Sequence, residues 1–247
     1  RINWGLNTIW NPNDIFNAYN FLDFDYEERP GNDAIRIQGY LNDQSKLEFA
    51  YKPGRTKHTH IGAFLYKFNK WTYDFQLLAG LYQDDLMFGG GWAGNLRNAG
   101  FKAEFSYFHP KNEIAKHSGV WTASFVVDQT FTNDWYISFS SLFNSKPSGL
   151  LFGGPALFDS QLSAKSLFPF KISLYAGVSK SFNPIFRSNL SIIYSPSYNT
   201  LIAVPTLSWN ALTNLDLDLT IQAAFAENGS NYQTAGGVVI LRGKWSF

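Results

Sequence analysis

Four histidines are the side chains of this sequence with the widest chemical range, and no cysteine accompanies them. A hydrolytic His–Ser pair on a strand needs a spacing of two residues, because alternate side chains share a face. None of His58, His60, His109 and His117 is followed by serine at that spacing, and Ser118 directly follows His117. His58 and His60 could share a face around a metal, but "TKHTH" places no carboxylate beside them.

Other catalytic and cofactor motifs are equally weak. The glycine-rich stretch "FGGGWAG" (88–94) lies in strand-like sequence, where glycines favour curvature or close backbone approach over phosphate binding. The absence of cysteine excludes thiol catalysis, disulfides and cysteine-ligated metals. A net charge of +1 gives no field that would favour nucleic acid. We therefore predict no enzymatic activity, no metal, no cofactor and no nucleic-acid partner.

The strongest pattern is an alternation of apolar and polar residues with a period of two. In 215–225, odd positions carry Leu, Leu, Leu, Ile, Ala and Phe, whereas even positions carry Asp, Asp, Thr, Gln and Ala. In a strand these two sets point to opposite faces. We count about fourteen such segments, the first near 1–10 and the last near 234–247, and many span about 9–13 residues, the length of a tilted strand crossing a bilayer.

This pattern predicts an all-β fold, a transmembrane antiparallel up-and-down β-barrel of about 14 strands, with 1–247 as one domain. A large β-sandwich or lipocalin-like barrel is the soluble alternative, since alternation does not say which face is inside. The membrane version is favoured by long strands, by aromatic residues at segment ends, and by links that are alternately short and long. The start at Arg1, without methionine, indicates a processed chain or a fragment, and we favour a fragment.

The loop 11–32 is the most distinctive connection. Asn11-Pro12-Asn13-Asp14 has the composition of a helix start, and apolar residues follow at helical spacing. A helical loop folded into the lumen would narrow a pore, while a packed extracellular loop and a calcium site are the alternatives. The candidate constriction residues are Asn11, Asp14, Phe16, Tyr19, Asp23, Asp25, Glu27 and Glu28.

The loop 144–168 carries the apolar residues Leu150, Leu151, Phe152, Leu157 and Phe158 between glycines. Apolar side chains in a loop outside a barrel indicate a lid over the lumen or a contact with a partner. A loop that packs on itself is the alternative.

Charged residues of both signs fall on the polar phase of the predicted strands. In an open lumen they would set ion preference, whereas in a narrow one they would pair into salt bridges. The mixture of signs argues against strong selectivity. The predicted lumen residues are Arg36, Lys46, Glu48, Asp74, Lys102, Glu104, Asp128, Lys171, Arg187, Asp216, Asp218 and Arg242.

The C-terminal stretch "VVILRGKWSF" places Gly243, Trp245 and Phe247 on one face of a final strand. It resembles the insertion signal of bacterial outer-membrane β-barrels, which the barrel assembly machinery reads. The N-terminal "RINWGLNTIWNPNDIFNAYNFLDFDYEERPG" (1–31) resembles porin-like outer-membrane proteins of the Bacteroidota, in which a strand ending in Asn-Trp-Gly leads to an Asn-Pro-x-Asp loop. That resemblance implies further strands before Arg1, in an even number, and leaves two totals open: fourteen strands, or sixteen or more.

Together these features predict an outer-membrane porin-like channel for passive diffusion of small polar solutes. One alternative is a structural or accessory barrel subunit of a larger outer-membrane complex. Another is a barrel that takes up hydrophobic compounds, with 11–32 as its hatch. The expected partners are outer-membrane lipid and lipopolysaccharide, the barrel assembly machinery during insertion, and subunits of such a complex.

Overall fold

The computed structural model describes residues 2–19, 22, 33–56, 58–111, 118–147, 162–228 and 231–246. Within these ranges the chain is all-β and contains no helix. The strands are β1 (Ile35–Asn42), β2 (Ser45–Lys52), β3 (Ile61–Lys70), β4 (Tyr73–Tyr82), β5 (Asp85–Leu96), β6 (Ala99–Pro110), β7 (Val120–Thr130), β8 (Trp135–Asn144), β9 (Ile172–Asn183), β10 (Phe186–Ser195), β11 (Thr200–Leu212), β12 (Leu215–Asn228) and β13 (Asn231–Trp245).

The thirteen strands form one antiparallel up-and-down sheet in sequence order, and the sheet is not closed. Strand β1 pairs with β2, and β13 pairs with β12, so each leaves one edge without a ladder among the described residues. Because successive strands alternate in direction, β1 and β13 run the same way. A fully antiparallel closure would therefore need an odd number of further strands.

The alternation predicted from the sequence is confirmed in the strands. On β12, for example, Thr220, Gln222, Ala224 and Ala226 are buried, while Ile221 between them is exposed. We name the face that carries such buried side chains the inner face and the opposite one the outer face. The outer face is apolar and largely exposed, and the inner face is rich in Ser, Thr, Gln and charged residues.

The first predicted strand is wrong. Residues 2–10 form no strand, and the segment 2–19 (the N-terminal segment) is irregular and packs on the inner face. The helix predicted after Asn11 is also wrong within the described residues. Its start is instead two turns, in which Asp14 N donates to Asn11 O (3.1 Å) and Asn17 N donates to Asp14 O (3.3 Å). The physical reason is that side chains of the sheet form hydrogen bonds with the backbone groups of this segment, which therefore need no strand or helix partner.

Two apolar clusters fix the N-terminal segment on the sheet. Ile2, Trp4, Ile15 and Phe16 pack with buried side chains of β2 to β7, including Leu65, Met87 and Phe108. Trp10 and Leu22 pack with side chains of β8 to β12 and with Leu167, Phe168 and Phe170 of the β8–β9 connection. The buried apolar core therefore lies between the inner face of the sheet, the N-terminal segment and the β8–β9 connection.

The two ends of the sheet differ in their connections. At one end, here named the turn end, the links are 43–44, 71–72, 97–98, 131–134, 184–185 and 213–214. The opposite end, the loop end, has the longer links 53–60, 111–119 and 145–171, together with the short links 83–84, 196–199 and 229–230. None of the described residues belongs to a helix long and apolar enough to cross a membrane.

Candidate functional site

Glu104 on β6 is the main polar anchor of the N-terminal segment. Its Oε1 accepts hydrogen bonds from the backbone N–H groups of Leu6 and of Asn7 (2.7 Å), and its Oε2 accepts one from Asn13 N (3.0 Å). The carboxylate is buried, with 1% of the residue exposed. Three backbone donors of an irregular segment thus find their acceptor in one side chain of the sheet, which satisfies groups that would otherwise be buried without partners.

Glu48 on β2 is the second buried carboxylate. Its Oε2 accepts from Arg36 Nε (2.8 Å) and from Trp4 Nε1 (3.1 Å), and its Oε1 lies 2.8 Å from Lys46 Nζ. The carboxylate of Glu48 therefore binds two cations, one from β1 and one from β2, and the indole N–H of Trp4. A buried carboxylate with this set of donors is stabilised in its charged form.

Neutral polar side chains fix the rest of the segment. Gln76 Nε2 on β4 donates to Trp4 O (3.0 Å), and Ser124 Oγ on β7 donates to Trp10 O (3.0 Å). Gln222 Nε2 on β12 donates to Leu22 O (2.8 Å). Gln76 and Ser124 therefore hold the segment itself, and Gln222 holds Leu22 beyond it. Because its apolar side chains pack with β2 to β7 and with β8 to β12, the segment contacts both halves of the sheet.

The glycines of β5 allow the segment to approach the strand closely, which confirms the prediction of close backbone approach. A Cβ at Gly89 would lie 2.7 Å from Asn13 Oδ1, and a Cβ at Gly91 would lie 3.0 Å from Leu6 Cδ1. Asn13 Nδ2 donates to Gly90 O (2.9 Å), and Ser106 Oγ on β6 donates to Pro12 O (2.8 Å). The turn at Asn11–Asp14 therefore sits directly on β5 and β6.

Gly5 allows a similarly close approach between two parts of the N-terminal segment. A Cβ at this position would lie 2.3 Å from Asn11 Oδ1. The Asn-Trp-Gly and Asn-Pro-x-Asp elements of the sequence are thus in contact with each other, and glycine is required where they meet.

The predicted lumen charges that lie in strands are all on the inner face, as the register of their partners shows. Arg36, Lys46 and Glu48 form one cluster, and Glu104 lies under the N-terminal segment. Asp74, Lys102, Asp128, Arg187, Asp216, Asp218 and Arg242 lie towards the turn end. Lys171 directly precedes β9 at the loop end and is exposed.

A cavity of ≈ 500 Å³ lies at the turn end of β9 to β12. Arg187, Asp216 and Asp218 contribute charges of both signs to its wall, and Asn210 Nδ2 donates to Asp216 Oδ1 (2.6 Å). Across the ladder, Asp216 pairs with Lys244 and Asp218 pairs with Arg242. The mixed signs predicted for this face therefore occur side by side on neighbouring strands.

Some of the predicted constriction residues pack in the N-terminal segment, and the others lie outside the described residues. Asn11, Asp14 and Phe16 are buried between the segment and the sheet, and Phe16 packs edge-on against Trp4 with ring centroids 4.9 Å apart. The hydroxyl of Tyr19 donates to Thr8 O (3.0 Å). The predictions for Asp23, Asp25, Glu27 and Glu28 lie outside the described residues.

The described part of the second long loop packs inward. Asn144 Nδ2 at the end of β8 donates to Phe168 O (2.8 Å) and Phe170 O (3.0 Å), and both rings are buried. Lys165 forms an ion pair with Asp85 at the start of β5. The apolar residues predicted to form a lid, Leu150, Leu151, Phe152, Leu157 and Phe158, lie outside the described residues.

The proposed terminal signal lies at the turn end of β13. Gly243 pairs with Leu217 and Trp245 pairs with Leu215, and the Trp245 side chain is exposed on the outer face. Phe247 lies outside the described residues.

The described histidines do not assemble a site. His58 Nδ1 lies 2.7 Å from Asp84 Oδ1, and His60 Nδ1 lies 2.6 Å from the hydroxyl of Tyr51. Among the residues described here, no group of three His, Asp or Glu side chains is placed to hold a metal ion.

Several anchors were not singled out from the sequence because they are neutral or because they match no motif. Each lies on the polar phase of a strand, and that phase is the signal that could have found them. They are Gln76, Ser106, Ser124, Asn144 and Gln222. The cation Lys67, which anchors none of the described residues, was not singled out either and lies on the same phase of β3.

Comparison with known proteins adds no assignment. The sequence matches no known protein-family model. It also has no match among curated proteins.

Proposed function

We propose that this chain forms the wall of a transmembrane β-barrel of the bacterial outer membrane and lines a porin-like path for passive diffusion of small polar solutes. The observation that supports this function best is the opposite character of the two faces of the sheet. The outer face exposes large apolar side chains such as Phe64, Leu77, Phe88 and Phe139. The inner face carries buried polar and charged side chains beside the apolar ones that pack on the N-terminal segment. A soluble sheet would bury the apolar face instead.

Aromatic residues at both ends of the outer face support a membrane position. At the turn end Trp71, Trp135, Trp209 and Trp245 are exposed. At the loop end Trp121 stacks on Tyr107, with ring centroids 4.3 Å apart. Two such belts are expected where a barrel meets the two membrane interfaces.

The spacing of these belts fits a bilayer. Trp121 is level with Ser145, because Ser145 N donates to Trp121 O (2.8 Å). The distance from Trp135 to Ser145 is ten residues along the chain, or about 34 Å at the strand rise. A tilt of about 40° reduces this distance to about 26 Å along the membrane normal, close to the apolar band of about 25 Å in outer-membrane barrels.

In this proposal, solutes pass along the inner face beside the N-terminal segment, and its fixed position keeps the path narrow. Selectivity would follow from width and from the mixed charges rather than from chemistry. We also propose that outer-membrane lipid and lipopolysaccharide contact the outer face, and that the barrel assembly machinery reads the β13 edge with Gly243 and Trp245 at its end.

Single-channel conductance in a planar bilayer tests this function. The folded protein should be identified first by heat-modifiable migration on a gel. Small, stable current steps that scale with bulk salt are expected, with weak ion selectivity because both signs of charge line the path. Protein that is folded and inserted but silent at every salt concentration would refute the channel.

A structural or accessory barrel is the second candidate, and the filled inner face favours it. The N-terminal segment and the buried Phe168 and Phe170 occupy the same face from both halves of the sheet. For this candidate we expect silence in the bilayer together with stable partners that co-purify from outer membranes. Conductance by the isolated protein would rule it out as the sole function.

A further inference from the structure

Lys46 and Lys67 lie side by side on the inner face near the turn end, as direct partners across the β2–β3 ladder. Like charges placed directly opposite each other destabilise a sheet. Lys46 is compensated by Glu48, which also serves Arg36 and Trp4. The ammonium group of Lys67 forms no ion pair or hydrogen bond within the part of the chain that the structure describes. The carboxylates of Glu48 and Glu104 attract this half-buried cation through space but form no hydrogen bond with it.

Both lysines open into a cavity of ≈ 490 Å³, which Leu6 of the N-terminal segment also lines. Gln76 of β4, the direct partner of Lys67, forms part of its wall. This glutamine is 1% exposed, and its Nε2 donates to Trp4 O (3.0 Å). Its Oε1 is buried and has no hydrogen-bond partner among the described residues. An acceptor and a cation that lack a hydrogen-bond partner among the described residues therefore belong to directly paired residues of β3 and β4.

Two carboxylates, those of Asp43 and Asp74, line the same cavity. Asp43 is in the β1–β2 turn, and Asp74 begins β4, where its Oδ1 accepts a hydrogen bond from Asn69 Nδ2 (2.8 Å). Lys46 and Lys67 supply the positive charges of the same wall. The two carboxylates disfavour a multiply charged anion such as phosphate, because they repel it more strongly than a singly charged one.

We propose that Lys46, Lys67 and Gln76 bind a small monocarboxylate that also carries a hydroxyl or amino group. The carboxylate accepts charge-assisted hydrogen bonds from the two ammonium groups, and its neighbouring hydroxyl or amino group donates to Gln76 Oε1. A sugar acid has both features. This inference rests on the proposed function in one respect, namely that solutes reach the inner face.

Binding to the folded protein in detergent tests the site without requiring conductance. Isothermal titration with gluconate should show saturable binding. Sorbitol, which has the hydroxyls without the carboxylate, should bind at least about tenfold more weakly, because it loses the charge-assisted hydrogen bonds. Hexanoate, which has the carboxylate without hydroxyls, should also bind more weakly than gluconate, because Gln76 Oε1 is left without a donor.

The variant Lys67→Gln should weaken gluconate binding by at least about tenfold, because a hydrogen-bonded charge is lost. The matched control is Lys102→Gln, which removes a cation from the inner face of β6 outside this cavity and should leave binding unchanged. Equal binding of sorbitol and gluconate, equal affinity of the Lys67 variant and the parent, or the same loss in both variants would overturn the site.

The two proposals fail separately. A protein that conducts ions but binds no gluconate keeps the channel and loses the site. A protein that binds gluconate through Lys67 but stays silent in the bilayer keeps the site and loses the channel.

Discussion

Replacing Glu104 by glutamine is expected to loosen the N-terminal segment while the sheet itself remains folded. Glutamine has nearly the same size and keeps one carbonyl oxygen, which can still accept from the N–H groups of Leu6 and Asn7. Its amide nitrogen, however, would face the N–H of Asn13, which now donates to Glu104 Oε2 at 3.0 Å. Two donors would then meet in a buried position.

The size of the effect follows from these bonds. A hydrogen bond to a charged acceptor contributes about 1.5–3 kcal/mol, and a buried donor without an acceptor costs about 1–3 kcal/mol. We therefore expect the free energy of local opening of the segment to fall by about 3 kcal/mol. That decrease corresponds to amide hydrogen exchange about 150-fold faster.

Hydrogen exchange measured by mass spectrometry on the folded protein in detergent is the appropriate assay, read on peptides that contain Leu6, Asn7 and Asn13. The matched control is Glu227→Gln, which alters an exposed glutamate whose Oε2 accepts a hydrogen bond from Asn199 Nδ2 (2.8 Å). Exchange at Asn13 should accelerate in the Glu104 variant alone. An unchanged rate there, in protein with normal heat-modifiable migration, would refute the anchoring role of Glu104.

Two further substitutions test local packing and backbone strain. Gly5→Ala should release the N-terminal segment, because the new Cβ would lie 2.3 Å from Asn11 Oδ1, and added protease should then cleave the segment faster. The control is Gly39→Ala, which should leave cleavage unchanged because its Cβ would meet nothing within 4 Å. Thr72→Gly should stabilise the protein by about 1 kcal/mol and raise the urea concentration at which half of it is unfolded. Trp71 and Thr72 both have positive φ (54° and 66°) in the β3–β4 turn, and a β-branched residue is strained in that conformation. A lower midpoint for the Thr72 variant would contradict the second expectation.

The strands could be predicted because their signal is local. In β12 the apolar and polar sets of 215–225 follow the period of the pleat, and the same phase determines which side chains of Asp216, Asp218 and Gln222 share a face. The link positions likewise followed from where each alternation stops. These features need no knowledge of distant residues.

The N-terminal segment was mispredicted because its structure is not local. Its short alternation suggested a strand, and Asn11-Pro12 suggested a helix. Its backbone groups instead bond to Gln76, Glu104 and Ser124 on three different strands. Tertiary contacts that satisfy the backbone in another way override a local preference.

The sequence by itself determined the all-β class, the two opposite faces and the set of charged residues on the polar one, because alternation along a strand is a property of neighbouring residues. Only the tertiary structure decided which polar residues meet. Strand register places Lys67 opposite Lys46 and Gln76. The path of the N-terminal segment brings the backbone N–H groups of Leu6, Asn7 and Asn13 to Glu104. Register joins residues far apart in the chain, and a one-residue shift would move every side chain of a strand to the other face.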